Sequence, residues 1–464
     1  MNQNDAYRYT SLGLPEDIRA YKEIGDFDNA VRLIDLKLAD AGTPECMRQN
    51  LIAQREICLR FPQNYPYTKE EGLVIIQKEI PDFTMAELEA YMDNGRIAWH
   101  YVNGVQKLLS SFFGTLRKTV PAFAARLPKA PVDPAKVSHE LLDRTSRLNR
   151  CAKLMREKGH MSARIRIRTE LRIKDEAFVP GETYRIWLPI AAACIQQSEI
   201  KIEAFSSQPT FVAPEDAAQR TVYWEETMTE NHPFWVEFSY KHTAPFSDPS
   251  AVKADPVQPD FDTCEIAPNI VFTPFVRALC EELSAGTDDP IEKARRFYNY
   301  VTEKVCYSFM PDYFIMTDIA ENCLKTRRGD CGVQALAFVT LCRCAGIPAK
   351  WQSGMEADPE SVGSHDWAMF YVAPKGWMFA DPSFGGSAFR DGCEERHNHY
   401  FGNLDMFRCV TVNGYQQDFE PASKYWRHDP YDNQVGEVED SKRAYRRGEV
   451  WHDQTLVSFE ELAD

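Results

Sequence analysis

The sequence predicts a multidomain α+β protein with a helical front, a small β-sandwich and a mixed α/β core. Three observations carry this reading. Up to about residue 150, apolar side chains recur at three- and four-residue spacing, the period of a helix face packed on a core. Between residues 164 and 240 the period switches to two, as in strands with one wet face. Beyond a Pro- and Asp-rich stretch at 247–260, helical and strand-like segments mix to about residue 415. The chain has 464 residues, room for about three domains at roughly 150 residues each. Its 53 basic and 69 acidic side chains leave a net charge of −16, and 44% of residues are hydrophobic. This is globular composition, and its charge argues against nucleic acid or an anionic membrane as the default partner.

The elements follow in order. Ile18 to Ile34 is helical and broken at Gly25-Asp26, which predicts a helical hairpin. Thr84-Met85-Ala86-Glu87 is a capping box that opens a short helix. Ile97, Trp99, Tyr101, Leu108, Leu109, Phe112, Phe113 and Leu116 read as the core of this helical region. Pro121, Pro128, Pro131 and Pro134 mark a linker, followed by a polar helix from Ser138 to Lys158. Strands are predicted at 164–173, 184–188, 199–203, 221–224 and 234–240, a spacing that fits a β-sandwich. Arg164, Arg166 and Arg168 alternate along the first strand and read as its solvated face. The charged stretch from Asp429 to Asp464 reads as an extension wrapping the surface. The expected boundaries are 1–135 for the helical domain, 136–250 for linker helix and sandwich, 251–428 for the core, and 429–464 for the acidic extension.

The 13 cysteines are odd in number and show no regular framework. Met1–Asp5 is polar and no apolar segment of a signal peptide follows it. No window nears 18 apolar residues, so no membrane span is expected. These points predict a cytoplasmic protein with reduced thiols.

One cysteine stands apart. After Gly329-Asp330, a helical period begins at Cys331 and stops at Gly346 and Pro348. Cys331 is thus placed at a helix N-terminus, where free N–H groups and the dipole stabilise a thiolate. Cys342 and Cys344 fall in the last turn of the same helix, without that advantage. A thiolate nucleophile needs an imidazole, which in turn needs an orienting acceptor. His365 opens an apolar strand, and Asp381 ends the next. The turn at 372–376 makes the two strands a hairpin in which opposed residues meet, and His365 and Asp381 are 16 positions apart.

These residues resemble the transglutaminase-like superfamily, whose core has a papain-like fold. The resemblance rests on Gly329-Asp330-Cys331 with Leu341-Cys342-Arg343 and Gly346-Ile347-Pro348-Ala349. It continues through His365-Asp366-Trp367-Ala368, Gly376-Trp377 and Asp381-Pro382-Ser383, with Tyr300-Val301-Thr302 and Tyr307-Ser308 upstream. It covers residues 285–390. Arg185–Pro189 with Gln196-Gln197 is similar to the β-sandwich that precedes this core in bacterial members. The resemblance implies that Cys331 is the nucleophile, His365 the base and acid, and Asp381 the orienting group. The oxyanion would be held by the Cys331 N–H and one further donor, with Tyr307 as first candidate and Tyr313 as another. Trp367, Asp330 and His397 are candidates for the substrate cleft. No match to the calcium sites of animal transglutaminases is present, and no metal or cofactor is expected. Cys393, His397 and His399 do not have a zinc spacing. Asn403 and Arg408 are read as holding a turn rather than bordering the cleft.

The resemblance implies thiol-dependent acyl transfer, with hydrolysis of a peptide or amide through an acyl-enzyme expected first. A protein-glutamine transglutaminase is the alternative within that chemistry. A non-catalytic interaction module with a degenerate core is the alternative from another class. The expected substrate is a peptide, a protein or a small amide, and the oligomeric state is left open.

Overall fold

A computed structural model of the protein describes residues 7–128 and 143–463. Met1–Asp5, Pro131, Pro134 and the expected start of the polar helix at Ser138 lie outside the described residues. The described chain forms two compact units. The first draws on Met1–Leu141, Ile266–Val271 and Cys306–Asp330, the second on Leu142–Glu265, Phe272–Val305 and Cys331–Asp464. The stretch expected as a single core, 251–428, therefore contributes segments to both.

In the first unit, helices Glu16–Glu23 and Phe27–Ala39 form the hairpin. Gly25 between them stands at φ +77°, and a Cβ there would lie 1.9 Å from the Tyr101 carbonyl oxygen. Conformation and space both require glycine. Thr84 caps Met85–Asp93 in a capping box, as does Thr68 for Lys69–Gln77. The run from Ile97 departs from the helical expectation. Trp99–Val102 and Val105–Leu108 pair as an antiparallel hairpin, turned by Asn103 at φ 47° and Gly104 at φ 83°. Asn-Gly favours this two-residue turn, and it overrides the surrounding apolar spacing. Leu108, Phe112 and Leu116 pack with Ile76, Phe83 and Phe123. Trp99 and Tyr101 remain 39% and 48% exposed, contrary to the expected core role.

The second unit contains strands His160–Ile173, Thr183–Pro189, Gln197–Phe205, Thr221–Thr227 and Phe234–Pro245, at the five predicted places. They lie in two antiparallel sheets of four strands each. Trp224 of one sheet meets Phe205 and Phe234 of the other at ring-centroid distances of 6.4 and 5.6 Å, which marks the interior of the sandwich. The alternating arginines face acids: Arg164 pairs with Glu199 at 2.7 Å, Arg166 with Glu237, and Arg168 with Glu170 at 2.7 Å. The face is neutralised by acids on its own strand and on two others rather than basic.

The C-terminal stretch is not a surface wrap. Glu437–Glu439 pairs with Arg185–Trp187, and Val450–Leu462 pairs along His160–Ile173 from Ser162 to Ile173. Each sheet takes an edge strand from it. The charge of this stretch conceals an alternation in which Trp451, Asp453 and Thr455 are exposed and His452, Gln454 and Leu456 are partly covered.

The sandwich leads into a five-stranded antiparallel sheet. Its order is Phe401–Gly402, Gly376–Ala380, Ser361–Val372, Ala349–Asp358, Arg408–Val412. Helix Cys331–Cys344 is buried from Gly332 to Arg343 and packs on this sheet, with Phe338 against Phe370 at 5.9 Å. Gln197 joins sandwich to sheet. Its Nε2 donates to the Ala192 and Val410 carbonyls at 2.7 and 2.8 Å, and its Oε1 accepts from the Val410 amide at 2.9 Å.

Removing residues 447–464 should uncover the edge of His160–Ile173. A loss of several kcal/mol is expected, a fall in Tm of about 10 °C, read by circular-dichroism melting. An unchanged Tm would show that the strand contributes nothing.

Candidate active site

Cys331 is the first residue of its helix, so its own N–H is among those with no intrahelical acceptor. The side chain is half-buried. Its Sγ donates to Asp366 Oδ2 at 3.4 Å. Asp366 sits on strand Ser361–Val372, one residue from His365. Gln434, from the C-terminal stretch, donates to Asp366 Oδ1 at 2.8 Å and to Ser353 Oγ at 2.9 Å. Ser353 in turn donates to Asp432 Oδ2 at 2.5 Å. Burial, reinforced by the charges of Asp429 and Asp366, pushes the Asp432 carboxyl well above the usual range.

His365 is buried, at 4% exposure, and Asp381 is fully buried. His365 Nε2 lies 2.7 Å from Asp381 Oδ2. The register differs from direct opposition. Ala368 pairs with Ala380, which sets Asp381 beyond the strand end, level with Trp367. Positions two apart share a face, so Asp381 reaches diagonally to His365. Its other oxygen, Oδ1, accepts from the Phe384 amide at 2.9 Å and caps helix Pro382–Arg390. The Phe384 ring lies 4.4 Å from the imidazole. With Nε2 engaged, Nδ1 is the ring nitrogen that can exchange a proton.

Behind this pair stands Arg408, itself fully buried. Its Nη1 is 2.9 Å from Asp381 Oδ2. Its Nε and Nη2 donate to Asp405 at 3.1 and 2.5 Å, and Tyr400 donates to the same carboxylate at 2.9 Å. Burial alone would raise both acids. For Asp381, His365, Arg408 and the Phe384 amide outweigh burial and hold the carboxyl below its usual range. For Asp405, Arg408, Tyr400 and the Phe407 amide outweigh it and bring the carboxyl down to about 2. A proton donated by His365 therefore has no stable place on Asp381, which acts as a fixed negative charge.

Residues 277–382, which span Cys331, His365 and Asp381, match the model of the transglutaminase-like superfamily. The chain contains a transglutaminase-like core. Among solved structures, a candidate cysteine protease from Cytophaga hutchinsonii is similar at 12% identity and a TM-score of 0.37, covering 65% of this chain and 98% of that one. The periplasmic domain of TgpA from Pseudomonas aeruginosa is similar at 16% identity and a TM-score of 0.27, covering 54% and 96%. No curated protein matches the chain.

The remaining candidates are divided between the two units. Trp367 is fully buried and donates to Gln352 Oε1 at 2.8 Å, so it packs beneath the site rather than lining a cleft. His397 is buried at 8% exposure beside Thr302 Oγ1, 2.9 Å away, and Tyr298. It lines a cavity of about 420 Å³ with Asn299, Phe389 and Cys393, which includes neither Cys331 nor His365. Tyr307, Tyr313 and Asp330 belong to the first unit. There Lys118 Nζ sits 3.9 Å over the Tyr307 ring, and Tyr313 donates to Asp330. Arg408 is the residue whose importance the sequence understated. Its signal was an Asp-x-x-Arg pair inside the apolar run Leu404 to Val410. Among the described residues no group of three or more His, Cys, Asp or Glu is placed to hold a metal ion. No helix among them is long and apolar enough to cross a membrane.

The pH dependence of stability follows. Asp405 titrates at about 2 when folded and near ~3.9 when unfolded. Its contribution, about 2 kcal/mol, is present above pH ~4 and lost as pH falls toward ~2. Urea unfolding between those limits should show a fall that is smaller in Asp405→Asn by that amount.

Proposed function

We propose that the protein is a thiol-dependent acyl-transfer enzyme that hydrolyses a peptide or amide bond. One observation carries the reading. The buried chain Arg408–Asp381–His365 ends on the strand residue next to the carboxylate that holds the Cys331 thiol. Helix terminus, imidazole and orienting acid are the parts a cysteine nucleophile requires.

In this reading the thiol proton passes to Nδ1 of His365, leaving a thiolate at the helix N-terminus. Sγ attacks the substrate carbonyl, and the developing oxyanion takes the Cys331 N–H. As the intermediate collapses, the C–N bond breaks and the imidazolium gives its proton to the leaving amine. The thioester that remains is attacked by water, which loses a proton to His365. The carboxylic acid then departs and the thiol is restored. Asp381 keeps the ring oriented and stabilises the imidazolium throughout. The 13 cysteines are free thiols, which supports a reducing, cytoplasmic setting.

At pH 6, iodoacetamide should label Cys331 ahead of the other cysteines, with the preference lost in His365→Ala. Peptide mapping by mass spectrometry reads this. Uniform labelling would count against the ion pair. Asp381→Asn should lower kcat/KM on a peptide amide by about 10³- to 10⁴-fold, as loss of an orienting acid does in comparable triads. Adding a labelled primary amine separates hydrolysis from transamidation. Free acid should dominate, and amine incorporation outpacing it would reassign the enzyme as a transglutaminase.

A further inference from the structure

The first unit holds a cavity of about 590 Å³ that acyl transfer does not use. This is the size of a site for a small organic molecule. Phe61 and Tyr65 form one wall, stacked at 5.0 Å with 11° between their planes. His100 meets Phe61 edge-on at 4.8 Å. Lys22, His100 and Arg328 bring basic groups to the lining, and among the described residues no Asp or Glu lines it. In a chain with 69 acidic side chains that segregation is informative.

The basic groups are met by neutral acceptors. Lys22 Nζ donates to Gln54 Oε1 at 2.7 Å. Arg328 Nη2 donates to the Asn94 carbonyl at 3.3 Å. His100 Nδ1 lies 2.7 Å from the Tyr101 carbonyl oxygen, which leaves Nε2 as its second polar atom. Asp318 acts on Lys22 from outside the lining, yet burial still draws the ammonium below its ordinary range. A largely buried cation with an amide acceptor costs stability unless an anion joins it.

We propose that this cavity binds an organic carboxylate, its carboxylate on Lys22 and its flat apolar body against Phe61 and Tyr65. Aromatic walls supply contact area at low entropic cost, and the lysine supplies a point charge that selects for an anion. The proposal is independent of the acyl-transfer reading.

Calorimetry on the full chain tests it with 3-phenylpropionate as probe. Two comparisons accompany it: 3-phenylpropan-1-ol, with the same body and no charge, and acetate, with the charge and no body. The acid should bind at least about tenfold more tightly than either, a difference of roughly 1.4 kcal/mol. Lys22→Met should weaken the acid by a similar factor and leave the alcohol unchanged. Cys331→Ala should bind the acid as the natural chain does. Equal binding of acid and alcohol, no binding of the acid at millimolar concentration, or full affinity in Lys22→Met would each overturn the site. Should Lys22→Met not fold, Arg328→Gln and the acid–alcohol comparison on the unaltered chain decide.

Discussion

One guanidinium between two carboxylates, all three withdrawn from water, is the interaction on which the second unit's candidate site depends. Arg408 bridges Asp381 and Asp405. Removing any one member strands charge in a medium that cannot solvate it, a loss of several kcal/mol. The trio therefore exists whole or not at all. It joins the strand Arg408–Val412 to the end of Gly376–Ala380 and the start of helix Pro382–Arg390. The distance between those elements is thereby fixed, and with it the position of the imidazole that Asp381 holds.

The same economy appears in each polar group of the site. Asp381 spends one oxygen on a helix cap and the other on His365 and Arg408. Gln434 divides its amide between Asp366 and Ser353. These are groups with few alternatives, so their rotamers are set by packing and hydrogen bonds together. Cys331 differs. Its thiol rests on Asp366 through a long sulfur contact, a weaker tether than the hydrogen bonds around it.

What the sequence made legible was what ends elements. Cys331 stands where a glycine loop meets a helix, and Asp381 stands before a proline that opens one. Such positions have local signals. The alternation of residues 164–173 and its four companions was equally visible, since period two needs no knowledge of the partner strand. Three features escaped. Arg408 depends on residues brought together by the fold: its Asp-x-x-Arg spacing marks Asp405 as one partner, but nothing local marks Asp381 as the other. The register between His365 and Asp381 is set by the whole hairpin rather than by counting from the turn. The strand Val450–Leu462 was hidden because its exposed face carries charges, which count toward disorder in composition but sit naturally on a sheet edge.

That last strand has a bearing on how the protein is made. His160–Ile173 leaves the ribosome long before the segment that pairs with its edge. Through most of synthesis the sandwich presents an open row of N–H and C=O groups, a template for the wrong partner. Gln434, which braces Asp366, also arrives late. Newly made chains are thus committed to a waiting period, in which chaperones have a substrate and the thiol has not yet received its full surroundings.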